Sequence, residues 1–106
     1  MSIDRIDHLY VGVVDFPAAL AFWRSLGFAL VSEWGEVGHA AARLESGAAA
    51  VVLAETAEPL VTVHFGGTDL EALGAPVEPT HWGTRWAHLR APDGAVFVAE
   101  DTGRTD

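Results

Sequence analysis

The residues in this 106-residue chain with chemistry beyond packing are five histidines, four tryptophans and a large excess of carboxylates. An imidazole titrates near neutrality and can act as acid, base or metal ligand. An indole is a platform for planar or cationic ligands through stacking and cation–π contact. None of the histidines has an evident carboxylate or nucleophile partner in the sequence, and no Ser-His-Asp or phosphate-loop signature occurs. Gly66-Gly67 reads as a strand end. The chain has no cysteine, which excludes disulfides, thiolate metal sites and a cysteine nucleophile. Binding without chemistry is the simplest account of these residues.

Charge narrows the partners. The formal net charge is −9, with six basic residues against fifteen acidic ones. Phosphate backbones demand clustered Lys and Arg, so nucleic acid is excluded as a partner. The acidity serves solubility, or a cleft that attracts cationic ligands. The segment MSIDRIDHLY carries no basic start or long apolar run, and no stretch approaches the roughly 20 apolar residues that span a bilayer. No membrane partner and a cytoplasmic location are expected.

The elements that must position these groups come twice. Ile6 to Val14 alternates as a half-buried strand, with Leu9, Val11 and Val13 on one face and His8, Tyr10 and Gly12 on the other. Asp15 stands where a helix N-cap belongs, Pro17 fits the first turn, and Leu20, Trp23 and Leu26 follow at helical spacing before Gly27. Strands are expected at Phe28 to Trp34, His39 to Leu44 and Ala49 to Ala54. After a linker at 55–59, Leu60 to Gly66 repeats the first strand and Asp69 repeats the cap. The second helix shrinks to Leu70 to Leu73 before Gly74. Pro76 to Glu78, Thr84 to Arg90 and Ala95 to Glu100 complete the set, with a Pro92-Asp93-Gly94 turn between the last two. The reading is one α+β domain of two βαβββ modules, 4–54 and 60–101, with a tail at 102–106. They form a curved mixed sheet around a cleft, and the second helix is shortened.

The stretches IDHLYVGVVDFPAALAFWRSLGF and WGTRWAHLRAPDGAVFVAE together resemble the vicinal oxygen chelate superfamily. That superfamily groups glyoxalase I, extradiol dioxygenases, and fosfomycin- and bleomycin-resistance proteins. The resemblance covers essentially the whole chain, and WGTRW…PDG is closest to the bleomycin-resistance branch. It implies the paired-module fold and, for the family's enzymes, a divalent metal held by His and Glu side chains. His8 falls on the first ligand position. Its counterpart in the second half is Thr62, and the expected carboxylate position is Val98. His64 and Glu100 each lie two residues further on and keep the same orientation. A set of His8, His64 and Glu100 therefore requires a shift of about 6.6 Å along each strand.

With the same alternation, Trp86, His88 and Arg90 face the cleft, as does His39 with Ala41 and Arg43. Trp34 and Trp82 stand at strand or loop ends where they close it, while Trp23, Phe65 and Phe97 belong to the core. The ligand-binding set expected is His8, Tyr10, Trp34, His39, His64, Trp82, Trp86 and His88, with no catalytic residue and no cofactor. The resemblance then implies a metal-free homodimer that sequesters a small aromatic or cationic molecule, in resistance or self-protection. The alternative is a metal-dependent lyase, isomerase or dioxygenase using His8, His64 and Glu100.

Overall fold

The computed structural model describes residues 3–80 and 83–101. Its first elements are β1 (Ile3–Val13), α1 (Phe16–Ser25), β2 (Ala29–Trp34), β3 (Ala41–Ser46) and β4 (Ala49–Glu55). There follow β5 (Leu60–Gly67), a 3-10 turn (Leu70–Leu73), β6 (Val77–Pro79), β7 (Arg85–Arg90) and β8 (Val96–Asp101). This is the expected α+β order of two βαβββ modules, with the second helix reduced to one turn. Two compact units are present: His8–Thr62, and the residues before His8 together with those from Val63 onward. No helix among the described residues is long and apolar enough to cross a membrane.

In the first unit the strand order is β2-β3-β4-β1, with β1 parallel to β4 and β3 antiparallel to both its neighbours. A parallel pair cannot be closed by a hairpin, and α1 with β2 and β3 makes the crossover. Asp15 is extended at φ −108° and ψ 94°, and its carboxylate accepts the Ala18 N–H at 3.1 Å. That satisfies one of the donors a helix start leaves open. Gly27, at φ +106°, takes the left-handed conformation that lets the chain leave the helix. The helix packs Leu20 and Trp23, with Phe28 and Leu30, on a core of Val11, Ala42, Leu44, Val51 and Leu53.

The connector after β4 does not run free. Thr56 donates its N–H to the Val13 carbonyl at 2.8 Å and its hydroxyl to the Glu58 carbonyl at 2.7 Å. It thereby lies on Gly12, where an added Cβ would stand 2.6 Å from Thr56 Oγ1 and 2.9 Å from Leu60 Cγ. Strand ends shift from the sequence expectation by one to three residues, and two of these shifts have a visible cause. Glu55 belongs to β4, because its carboxylate and backbone both engage Ala40 across the sheet. His39 lies in the turn before β3 and is exposed, its N–H held by the Glu36 carbonyl at 2.8 Å.

The second unit orders its strands β5-β8-β7-β6, with β5 parallel to β8 and the other pairs antiparallel. The repeated aspartate does not repeat its function. Asp69 is left-handed at φ +53° and makes no side-chain cap bond, because a left-handed residue cannot present its carboxylate to the following N–H groups as extended Asp15 does. The short turn is held instead by fully buried Leu70 and by Arg85, whose guanidinium donates to Glu71 at 2.6 Å. A backbone hydrogen bond within Glu71, and then Arg85, hold that carboxyl below its ordinary range. Its folded value lies below its unfolded one, so the associated stability is present above the unfolded value and is lost as pH falls through the folded value. At so exposed a site the effect is small.

Removing the working cap, Asp15→Ala, is expected to cost about 1 kcal/mol in urea denaturation, with Asp15→Ser keeping most of it. Leu53→Ala, at a fully buried core position, is expected to cost about 2–5 kcal/mol in the same experiment. Equal, negligible losses for both would contradict this account of the first unit.

Candidate functional site

Strand register in the second unit decides which side chains share a face. His64 of β5 stands opposite Val98 of β8, which stands opposite His88 of β7. One step along, Gly66 stands opposite Glu100, which stands opposite Trp86. Alternation therefore puts His64, Glu100, Trp86, His88 and Arg90 on one face. The other face carries Phe65, Phe97, Leu89, Ala87 and Ala99, with the Phe65 and Phe97 rings 5.8 Å apart. Among the described residues His64 is the one buried polar side chain, 8% exposed. Trp86 and His88 meet edge to face with ring centres 5.1 Å apart.

Glu100 is fixed by the base of the 80–84 loop. Thr84 donates its hydroxyl to Glu100 Oε2 at 2.6 Å. Thr84 has only one hydroxyl proton, so in its 2.7 Å contact with Thr80 the Thr80 hydroxyl is the donor. The Thr84 N–H returns to Thr80 Oγ1 at 3.0 Å, and the Thr80 N–H reaches the Thr84 carbonyl at 2.9 Å. A threonine at each end of the loop thus clasps it and hands one strong hydrogen bond to the carboxylate. Alternation alone would have found Thr84, two residues before Trp86; the partnership with Thr80 needed the folded loop.

In the first unit Tyr10, Val52, Arg43 and Ser32 are in register, as are Gly12, Ala54, Ala41 and Trp34. His8 and Tyr10 share this face by alternation and both are half-buried. Trp34 reaches it through an irregularity: β2 pairs Leu30 with Leu44 but Ser32 with Arg43. Without that bulge at Val31, Trp34 would fall on the core side with Leu30. Trp34 is 50% exposed and borders an open hollow of about 310 Å³ with Phe16, Glu33, Glu36 and Val37. His39, in its turn, is not on the sheet face at all. Trp82 lies outside the described residues.

Against a divalent metal of the kind the family's enzymes use, the described residues fall short. Among them no group of three or more His, Asp or Glu is placed to hold an ion. His64 and Glu100 share a face, but they stand two register positions apart, and Glu100 already accepts the Thr84 hydroxyl. The residues as placed do not make a three-ligand site.

Solved structures give the fold relatives. Methylmalonyl-CoA epimerase from Streptomyces coelicolor, in complex with 2-nitronate-propionyl-CoA, is 21% identical with a TM-score of 0.70, covering 96% of this chain and 99% of its own. A methylmalonyl-CoA epimerase in complex with methylmalonyl-CoA and NH4+ is 22% identical with a TM-score of 0.72, covering 96% of each chain. A glyoxalase/bleomycin resistance protein/dioxygenase superfamily member from Vibrio splendidus 12B01 is 17% identical with a TM-score of 0.69, covering 89% of this chain and 95% of its own. At these identities the likeness establishes the fold. No curated protein sequence matches the chain.

The epimerases overturn the expectation of a metal-free sequestering protein, since enzymes stand where drug-binding proteins were expected. The expectation of no cofactor falls with it, although the described residues themselves gather no three-ligand set. The family model for the Glyoxalase/Bleomycin resistance protein/Dioxygenase superfamily matches residues 5–72, more than half the chain, and the protein belongs to that superfamily.

Proposed function

We propose that the protein is an isomerase that removes and returns a proton at a carbon next to the carbonyl of a small acyl substrate. The observation that carries this reading is the pairing of His64 and Glu100 on one face of neighbouring parallel strands, two register positions apart. Strand spacing and rise put their Cα atoms roughly 8 Å apart. That separation lets the two proton-handling groups flank one tetrahedral carbon, the arrangement that inversion at carbon requires, beside the Arg5 guanidinium that covers Gly66. The fold likeness to methylmalonyl-CoA epimerases supports the same class of reaction and an acyl thioester as the substrate class.

In this reading the Glu100 carboxylate takes the proton, and the His64 imidazole delivers one to the opposite side of the carbon. Thr84 holds Glu100 in one rotamer so that the base is aimed before the substrate arrives. Trp86 and His88 wall the site beside them, and Trp86 supplies a flat apolar surface for the acyl portion. Near-complete burial of His64 excludes water from the imidazole during the transfer itself, and solvent protons reset Glu100 and His64 between turnovers. No step here runs through a metal. Pairing of two chains belongs to the same proposal, and sedimentation equilibrium reads it directly.

Methylmalonyl-CoA in deuterium oxide is the direct test, with loss of the α-proton signal followed by NMR. Exchange by the wild-type protein is expected, and Glu100→Gln or His64→Ala should slow it about 100- to 10,000-fold. Runs with added Co²⁺ or Mn²⁺ and after chelation read any part a metal plays. Undiminished exchange in both variants would remove these residues from the mechanism.

A second prediction concerns the clasp. Thr84→Val should lower kcat more than it raises KM, while Thr84→Ser keeps the hydroxyl and restores most of the rate. The same Val substitution should cost about 1.5 kcal/mol of stability, the worth of a hydrogen bond to a charged group.

A further inference from the structure

All six basic residues of the chain are arginines, set among fifteen carboxylates. In such company an arginine is expected to find an acidic neighbour, and three of the five described ones do. Arg5 pairs with Asp4 at 2.8 Å and Asp7 at 3.3 Å, Arg43 with Glu45 at 2.9 Å, and Arg85 with Glu71 at 2.6 Å. Among the described residues Arg24 and Arg90 have no carboxylate partner. Arg24 lies in the last turn of α1, where a cation complements the helix dipole. Arg90 has no such explanation.

Its position gives one. Arg90 ends the row Trp86, His88, Arg90 along β7, one alternation beyond the level where His88 and His64 both face Val98. It is therefore on the face that carries His64 and Glu100, about 6.6 Å of strand past His88. Its Nη1 donates to the Gly94 carbonyl at 3.3 Å, which steadies the guanidinium over the tight turn. The nearest carboxylate in sequence, Asp93, is turned to the Ala95 N–H at 3.4 Å and does not neutralise it. Glu100 lies towards the opposite end of the same face.

We propose that Arg90 is the anion anchor of this site and binds an oxyanion of the substrate through its guanidinium fork. The anion is the free carboxylate of a dicarboxylic thioester or a phosphate of the thioester's carrier. Either is a planar or forked oxygen pair, which a guanidinium matches in two parallel hydrogen bonds. With a net charge of −9, the chain as a whole repels anions. One carboxylate-free arginine at the site therefore admits an anionic group at one place and in one orientation. The inference deepens the isomerase reading by naming its substrate as anionic and the residue that selects it.

Equilibrium binding separates this from the parent reading. Methylmalonate and free coenzyme A are titrated separately into the wild-type protein, Arg90→Gln and Arg24→Gln, with tryptophan fluorescence and calorimetry as readouts and circular dichroism confirming the fold. Arg90→Gln is expected to weaken one of the two probes about 10- to 100-fold, the range for a charge-assisted hydrogen bond, while Arg24→Gln leaves both unchanged. Weakened methylmalonate assigns the carboxylate, and weakened coenzyme A assigns the phosphate. In turnover, Arg90→Gln should raise KM for methylmalonyl-CoA by a similar factor with kcat within about twofold. Arg90-dependent binding without proton exchange would sink the isomerase reading and leave the anchor standing. If neither probe binds the wild-type protein, or both bind Arg90→Gln as tightly as wild type, Arg90 is not the anchor.

Discussion

Strand alternation, locked by one buried face, is the constraint on which everything else in this protein rests. In the second unit Phe65, Phe97, Leu89, Ala87 and Ala99 share one face of β5, β8 and β7. A slip of one residue in any of these strands would send its apolar set to the other side. The same register that protects the apolar face delivers His64, His88, Trp86, Glu100 and Arg90 to the other. The candidate site is thus a by-product of packing, and its precision is that of the sheet rather than of a loop.

The two halves show how far a repeated plan can drift while its backbone logic holds. Gly12 and Gly66 occupy matching places three residues before Asp15 and Asp69, and each lies under a covering side chain. Thr56 and Leu60 lie on the first and the Arg5 guanidinium on the second, so a Cβ at either would collide. The aspartates have diverged more. Asp15 caps a ten-residue helix, whereas Asp69 introduces a four-residue turn without capping it. Arg85 and buried Leu70 supply by tertiary contact what the missing cap does not. Site chemistry has drifted likewise, since the register level of Tyr10 and Arg43 in one half carries His64 and His88 in the other.

Much of the fold was legible because short-range physics dictates it. Asp15, Pro17 and Gly27 mark a helix by the needs of its unpaired ends. Period-two runs such as Val63 to Gly67 and Trp86 to Arg90 mark half-buried strands, and from these the common face of Trp86, His88 and Arg90 follows. Alternation by itself does not reveal where a single residue breaks the period. Val31 is bulged, and that decides the face of Trp34. The strand assigned from His39 begins at Ala41, because the turn before it holds the chain through the Glu36 carbonyl.

The sequence by itself determined the element order, the buried faces and the residue types available for chemistry, because each depends on neighbours within a few positions. Only the tertiary structure decided which of those residues meet. That Val98 lies beside His64 follows from pairing β5 with β8, where the two residues are 34 positions apart in the chain, and no local pattern encodes such a register. The threonine clasp on Glu100 and the absence, among the described residues, of a carboxylate beside Arg90 belong to the same class. They are properties of distance, and distance between remote residues is what folding sets.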